Sequence, residues 1–340
     1  MTNHLINDKD LAELVIKLFV SNGVNKEEAE IVTDVLIHAN LRGVDSHGVL
    51  RVEHYIKRIQ EGGLNVQSKP NLTVTSPSTA IYDGDNGFGH VISKKAMEQA
   101  IEMAETTGIG VVAVRNSSHC GALSYFVNQA TEAGLIGVAM AQTDKIVVPF
   151  GGAESFFGTN PIAFGFPAKK ERSVILDLAT SNVALGKILN AREYGTDIPL
   201  GWGVDTNGIE TTDPNSVAYL SPFGGPKGYG LAFVVEAFSA LLTGAAFGPH
   251  VSKMYDEYQK YRELGQFYMV INPAKFVIAD VFLARMDQMI QELRAVKPAD
   301  GFERVMVPGE PEATTEESRK KERIPLPESV WQYLNAGITS

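Results

Sequence analysis

The 340-residue sequence has almost nothing from which to build covalent or metal cross-links. Its single cysteine, Cys120, excludes an intrachain disulfide and leaves too few ligands for a structural zinc site. No C-x-x-C, H-E-x-x-H or EF-hand pattern occurs, so no metal is expected. The G-x-G-x-x-G fingerprint after an early strand is missing. So is the phosphate-loop pattern: Gly186-Lys187 lacks the preceding glycine, and Ile188 follows it. These absences argue against a kinase, a zinc hydrolase and a Rossmann-type dehydrogenase. Positive charge is also scarce: 30 Lys and Arg against 40 Asp and Glu give a formal net charge of -10. A duplex-binding protein shows a basic stripe, and no long Lys/Arg run occurs. The richest stretch, Arg319 to Arg323, is broken by Glu322 and reads as a solvated tail segment. Nucleic acid is therefore not an expected partner.

Hydrophobic runs are few. The polar start, Met1 to Asp10, holds no signal core, and with one cysteine it suggests the reducing cytoplasm. The most membrane-like stretch, Tyr229 to Gly248, carries Glu236 near its centre. A bilayer would charge roughly 3 kcal/mol for that residue, so a buried helix in a soluble protein is expected and no membrane partner.

A composition of 44% hydrophobic and 21% charged residues describes a soluble globular chain, long enough for two or three domains. Leu11, Leu14, Val15, Leu18 and Phe19 follow a helical period that Gly23 stops. Asn25 and Glu28 stand at capping-box spacing before a second helix ending by Gly43. A third helix is expected from Gly48 to Gln60. Strands then alternate with helices: strands at 79–82, 109–114, 136–142, 161–166, 174–178 and 267–271, helices at 90–105, 121–133, 184–193 and 279–296. That is the rhythm of a layered α/β protein. A long apolar helix follows Lys227, residues 244–265 read as a surface loop, and a short helix at 328–334 closes the chain.

Several polar residues stand where chemistry is possible. His47, Arg51 and Tyr55 are four apart, which on a helix aligns them along one face. They could hold a small carboxylate, with Arg51 as a bidentate fork, or form an ordinary solvated face. His119 follows an apolar strand and precedes a helix, at a sheet edge suited to a proton-transferring imidazole. Asp144 ends the next strand, and could orient His119 if the two strands are neighbours. Cys120 reads as a small buried thiol. Asp177 ends a strand, where it can accept hydrogen bonds from ribose hydroxyls or cap a helix. Lys227 lies between glycines at a helix mouth, suited to a pyrophosphate or to nothing beyond an ordinary helix start.

Six segments together resemble the malate/L-lactate dehydrogenase family that is distinct from Rossmann-type enzymes. They are Arg42-Gly-Val-Asp-Ser-His-Gly48 with Arg51, Asn116-Ser-Ser-His-Cys-Gly121, Val148-Pro-Phe-Gly-Gly152, Gly158-Thr-Asn-Pro161, Leu176-Asp-Leu-Ala-Thr180 and Gly225-Pro-Lys-Gly-Tyr-Gly230. Within the family, Ser124-Tyr-Phe-Val127, Val147-Val-Pro-Phe-Gly-Gly-Ala-Glu154, Ser252-Lys-Met-Tyr-Asp256 and Leu264-Gly-Gln266 look most like the branch that oxidises (S)-ureidoglycolate to oxalurate with NAD. Other branches act on malate, lactate or sulfolactate. A non-catalytic nucleotide-binding homologue is the remote alternative.

The resemblance implies a non-Rossmann α/β fold, with a mixed, largely antiparallel sheet in the cofactor domain and a second domain containing the helical N-terminal region. Its implied segments are 1–75 and 76–120 in the substrate and dimerisation domain, 121–300 mainly in the cofactor domain, and 301–340 returning to the first. It implies that His119 is the catalytic base and that Asp144 orients it. His47, Arg51 and Tyr55 would bind a 2-hydroxy acid. Thr143, Asp177, Leu178, Ala179, Lys227, Gly309 and Glu310 would contact NAD, with NADP less favoured. A homodimer or higher homo-oligomer is the implied assembly.

Overall fold

Asn7 and Asn25 open the first two helices of the computed structural model, which describes residues 3–336. Each side-chain oxygen accepts a backbone N–H three residues on, from Asp10 at 2.8 Å and from Glu28 at 3.0 Å. The helices are α1 (Asp8–Ser21) and α2 (Lys26–Leu41), and a short strand, β1 (Asn3–Ile6), precedes them. The stripe predicted on α1 is buried: Leu11, Val15, Leu18 and Phe19 join Val32 and Leu36 of α2 in one core. Residues 1–2 and 337–340, at the outer ends of the expected first and last segments, lie outside the described residues.

The helix expected from Gly48 to Gln60 is broken. Two single 3-10 turns, Asp45–His47 and Val49–Arg51, come before α3 (Val52–Gln60). Gly48 lies against Asn40, whose Oδ1 accepts the Val49 N–H at 2.8 Å; a Cβ on Gly48 would stand 2.3 Å from that oxygen. His47 therefore leaves the axis that carries Tyr55.

The chain continues through β2 (Asn71–Ser76), β3 (Thr79–Asp83), α4 (Gly89–Thr107), β4 (Ile109–Ser117), α5 (Ser124–Glu132), β5 (Ile136–Ala141), β6 (Ile162–Phe166), β7 (Val174–Leu178) and α6 (Leu185–Tyr194). A two-residue pair, β8 (Gly203–Val204) and β9 (Tyr219–Leu220), brackets a polar stretch holding Asp205, Asn207 and Asp213. Then come α7 (Pro226–Glu236) with a π-helical turn at Ala237–Leu241, β10 (Leu264–Ile271), α8 (Ala279–Ala295), α9 (Glu310–Glu322), β11 (Ile324–Pro327) and α10 (Glu328–Ala336).

Seven strands form one sheet in the order β2-β3-β4-β10-β5-β6-β7. Only β3 and β4 pair in parallel; the other five neighbours are antiparallel. The sheet is thus mixed and largely antiparallel. One face packs Val112, Val114, Ala139, Tyr268 and Val270 against residues of α4 and α5 such as Ile92, Met97, Phe126 and Val127. The other packs Val138, Met140 and Phe267 against Val235 of α7.

Residues 76–120 supply β3 and β4 to this sheet, while Phe88 and Val91 within the same stretch join the N-terminal core. β11 pairs with β1, and Ile324, Leu326 and Leu334 enter the α1–α2 core. Of the basic stretch 319–323, residues 320–323 are exposed as expected, but Arg319 turns inward and the chain goes on into β11. Arg319 grips the Asp45 carboxylate with two nitrogens, at 2.6 and 2.9 Å, and also donates to the Asn40 carbonyl. Arg42 of the α2 end meets Glu316 at 3.3 Å.

Glu236 is buried with its needs met. It accepts from the Gly248 N–H at 2.6 Å and from Asn160 Nδ2 at 2.7 Å, and loss of water pushes its carboxyl upward. Among the described residues no helix is long and apolar enough to cross a membrane.

The central strand tolerates no side chain at its bulge. Register shifts between Leu264 and Gln266, and a Cβ on Gly265 would stand 1.7 Å from the Ser239 carbonyl oxygen of the π-helical turn. Gly265→Ala should therefore destabilise the fold by about 1–3 kcal/mol, read as a lower denaturant midpoint. An unchanged midpoint would mean that the turn yields freely.

Candidate active site

The ends of the central strands open onto a cleft of about 890 Å³. Seven of the expected residues line it: His47, His119, Thr143, Asp177, Leu178, Ala179 and Gly309. Arg51, Tyr55, Asp144, Glu310 and Lys227 do not border it; Lys227 is exposed on the first turn of α7.

His119 follows the end of β4. Its Nδ1 lies 2.6 Å from the Tyr55 hydroxyl, and its ring stacks on that of His47 with centroids 5.6 Å apart. Tyr55 comes from α3 and is buried in the N-terminal core. Burial first, and then repulsion from His47, Arg51, His90 and Arg262, hold the His119 pKa well below its usual value. His47 is lowered to about 4, by burial and by Arg51. Both imidazoles are neutral near pH 7, so each can accept a proton.

Asp144 does not orient His119. β10 lies between β4 and β5, so the ends of those two strands are separated by two strand spacings, roughly 10 Å. The Asp144 carboxylate instead takes Arg262 Nη2 at 2.7 Å and the Met254 N–H at 3.2 Å. It thereby anchors the segment that precedes β10. The group on the His119 ring is Tyr55, from the face expected to bind substrate.

That segment, residues 244–263, is held mainly by a residue the sequence did not single out. Arg58 is buried and donates to four backbone carbonyls: Lys253 at 3.3 Å, Met254 at 2.8 Å, Glu257 at 3.1 Å and Lys260 at 2.6 Å. In sequence it reads as a cation in the last turn of a helix, which the helix dipole alone would explain. His54 adds a hydrogen bond to the Tyr258 hydroxyl at 3.3 Å, and the Lys57 ammonium sits 4.1 Å from the Tyr258 ring centroid. Arg51 donates to the Ser46 carbonyl at 2.7 Å and to the Tyr255 hydroxyl. Arg262 is buried with Nε and Nη1 unpartnered among protein groups.

The other side of the cleft is shaped to receive a large ligand. Gly309, at φ +83°, packs so closely on β7 that a Cβ would stand 2.4 Å from the Ile175 carbonyl oxygen. Asp177 accepts the Ser124 N–H at 2.7 Å, so it caps α5, and it lines the cleft. Thr143 Oγ1 accepts the Thr159 N–H at 2.9 Å. Glu310 accepts the Val307 N–H at 3.1 Å and meets Arg294 and Arg304, bracing the 298–309 segment. Gln266 lines the cleft, buried, with Oε1 unpartnered among protein groups. The apolar walls, the glycine cradle, the Asp177 carboxylate and this free acceptor fit a dinucleotide with a ribose and a carboxamide.

The family model described as malate/L-lactate dehydrogenase matches residues 6–335. The chain belongs to that family. An NAD(+) ureidoglycolate dehydrogenase of Escherichia coli O157:H7 is 43% identical over 97% of this chain and 94% of the relative. A malate dehydrogenase of Pyrococcus abyssi is 39% identical over 96% and 92%. Among solved structures, the sulfolactate dehydrogenase of Methanocaldococcus jannaschii superposes with a TM-score of 0.94 at 36% identity, covering 99% of this chain and 97% of that one. The family's fold agrees with the mixed sheet described above.

Arg58→Ala should free the 244–263 segment. The lost charge-assisted hydrogen bonds, about 1.5–3 kcal/mol each, should speed limited proteolysis there by tenfold or more. Proteolysis at the parent rate would show that Asp144 and the aromatic contacts suffice.

Proposed function

We propose that the protein oxidises (S)-ureidoglycolate to oxalurate with NAD, in the breakdown of allantoin from purines. The observation that carries the reading is His119: a neutral imidazole in the cleft wall, anchored through Nδ1 on Tyr55, with Nε2 left for a ligand. Bound NAD supplies the hydride acceptor. Arg51 and Arg262 place positive charge beside His119 for the substrate carboxylate. His119 takes the hydroxyl proton as the C2–H bond yields its hydride, and burial keeps that imidazole unprotonated beforehand.

NAD is favoured over NADP because a 2'-phosphate needs a free cation. The two arginines bordering the cleft are already paired, Arg42 with Glu316 at 3.3 Å and Arg304 with Glu310 at 3.4 Å. The choice of ureidoglycolate rests on the 43% identical relative. The same machinery on malate or another 2-hydroxy acid is the second reading, supported by the Pyrococcus and Methanocaldococcus proteins.

Reduction of NAD and NADP followed by absorbance, with ureidoglycolate, malate, lactate and sulfolactate offered separately, tests both readings. NAD reduction with ureidoglycolate alone is expected. A preference for malate would move the protein to the second reading, and silence on all four would remove the enzymatic one. His119→Asn should lower turnover by at least about 100-fold while NADH binding persists.

The assembly we propose is a homodimer or higher homo-oligomer. Between Phe233 and Leu242, α7 and its π-helical turn expose Phe233, Val234, Phe238, Leu241 and Leu242. Soluble monomers rarely leave so dense an apolar patch uncovered. Sedimentation should give at least twice the 36.9 kDa chain mass, and Leu241→Glu with Leu242→Glu should reduce it. A parent protein sedimenting as a monomer would dismiss the assembly.

A further inference from the structure

A neutral imidazole carries one proton, and which nitrogen holds it decides whether His119 can act as a base. Nδ1 faces the Tyr55 hydroxyl at 2.6 Å, so Nε2 is the nitrogen left for a ligand in the cleft. The phenol also has a single proton. Given to His119 Nδ1, it forces the histidine proton onto Nε2, and the nitrogen facing the substrate then has no lone pair to offer. Given elsewhere, it lets the phenol oxygen accept an Nδ1–H, and Nε2 is free.

The structure provides one other acceptor for that proton. His90 Nε2, in the first turn of α4, stands 3.4 Å from the same hydroxyl, and the two rings meet edge-on with centroids 5.1 Å apart. His90 is fully buried, and its pKa falls to about 3 through burial and the nearby His47. It is therefore neutral and able to accept. Its Nδ1 has no partner among the described residues, and that holds whichever nitrogen is protonated, so it does not select between tautomers. The Gly121 N–H also points at His119 Nδ1, at 3.4 Å, but the phenol stands at 2.6 Å, so the contact that opposes the Nδ1–H form is the weaker of the two at that nitrogen.

We propose that His90 is a positioning residue: it accepts the Tyr55 phenol proton, which makes Tyr55 an acceptor for His119 Nδ1–H and keeps His119 Nε2 free toward the cleft. The arrangement serves both halves of the reaction. Once Nε2 has taken the substrate proton, the imidazolium still donates Nδ1–H to Tyr55, and Tyr55 still donates to His90, so no group need turn. The assignment rests on the proposed role of His119 as the base.

The test reads the tautomer directly. Nitrogen-15 NMR of histidine-labelled protein near pH 7 should show His119 as the Nδ1–H form, and His90→Leu should convert it to the Nε2–H form. His90→Gln, which restores a carbonyl acceptor, should return it to Nδ1–H; this variant also serves if the leucine protein folds poorly. In turnover, His90→Leu should lose about 100-fold in kcat with NADH binding retained. Adding Tyr55→Phe removes the misdirected proton, so the double variant should be no slower than Tyr55→Phe alone. An Nε2–H tautomer in the parent protein, an unchanged tautomer in His90→Leu, or losses that simply multiply in the double variant would overturn the assignment. A parent protein inert toward every hydroxy acid would instead sink the proposed function, and the NMR result would still decide what His90 does.

Discussion

The insertion of β10 between β4 and β5 is the constraint on which the rest of the molecule depends. β10 is remote in sequence from both neighbours, yet its backbone groups pair with Ile109–Ser117 on one edge and Ile136–Ala141 on the other. It closes the sheet across the middle and brings the segment ahead of it, 244–263, over the ends of the strands. Its cost is steric: Gly265 passes the π-helical turn so closely that only a hydrogen fits. Its consequence is a division of labour at the site. His119 and Asp144, on strand ends that would otherwise be adjacent, are held apart and take different partners.

The second organising element is α3. One of its faces enters the N-terminal core through Val52, Tyr55 and Ile56. Another grips the 244–263 segment through His54, Lys57 and Arg58. Tyr55 reaches past both to the His119 ring. A single short helix thus couples the core, the covering segment and the imidazole, and none of these contacts is local in sequence. The covering segment is also where Arg262 enters, so it supplies charge as well as enclosure. Arg51 and Arg262 make the surroundings of His119 electropositive, and burial strengthens that field because little water screens it.

Helix α9 completes the enclosure by ion pairing rather than by apolar burial. None of the α9 side chains is buried, and its anchors are Arg319 on Asp45 and Glu316 on Arg42. These hold it against the turns that carry His47. The 298–309 segment just before it forms one wall of the cleft, braced by Glu310 on Arg294 and Arg304. The chain's two ends therefore meet on one side of the site, which explains how β1 and β11 come to pair.

Local sequence determined the elements whose causes are local. The Asn caps and apolar stripes specify α1 and α2, and short apolar runs set off by glycine, proline or polar residues specify β4 to β7, because capping, periodicity and turn chemistry act over a few residues. The motif around His119 and the segment 177–179 were legible for the same reason: each is a short run whose members sit together at a strand end. Tertiary structure alone decided the rest. It placed β10 in the centre, turned Arg58 and Arg262 from ordinary surface cations into buried donors, broke the helix at Gly48, and paired His119 with Tyr55 instead of Asp144. Each of those outcomes depends on a partner far away along the chain, and a hydrogen bond or close approach between distant segments leaves no periodic trace in the residues that make it.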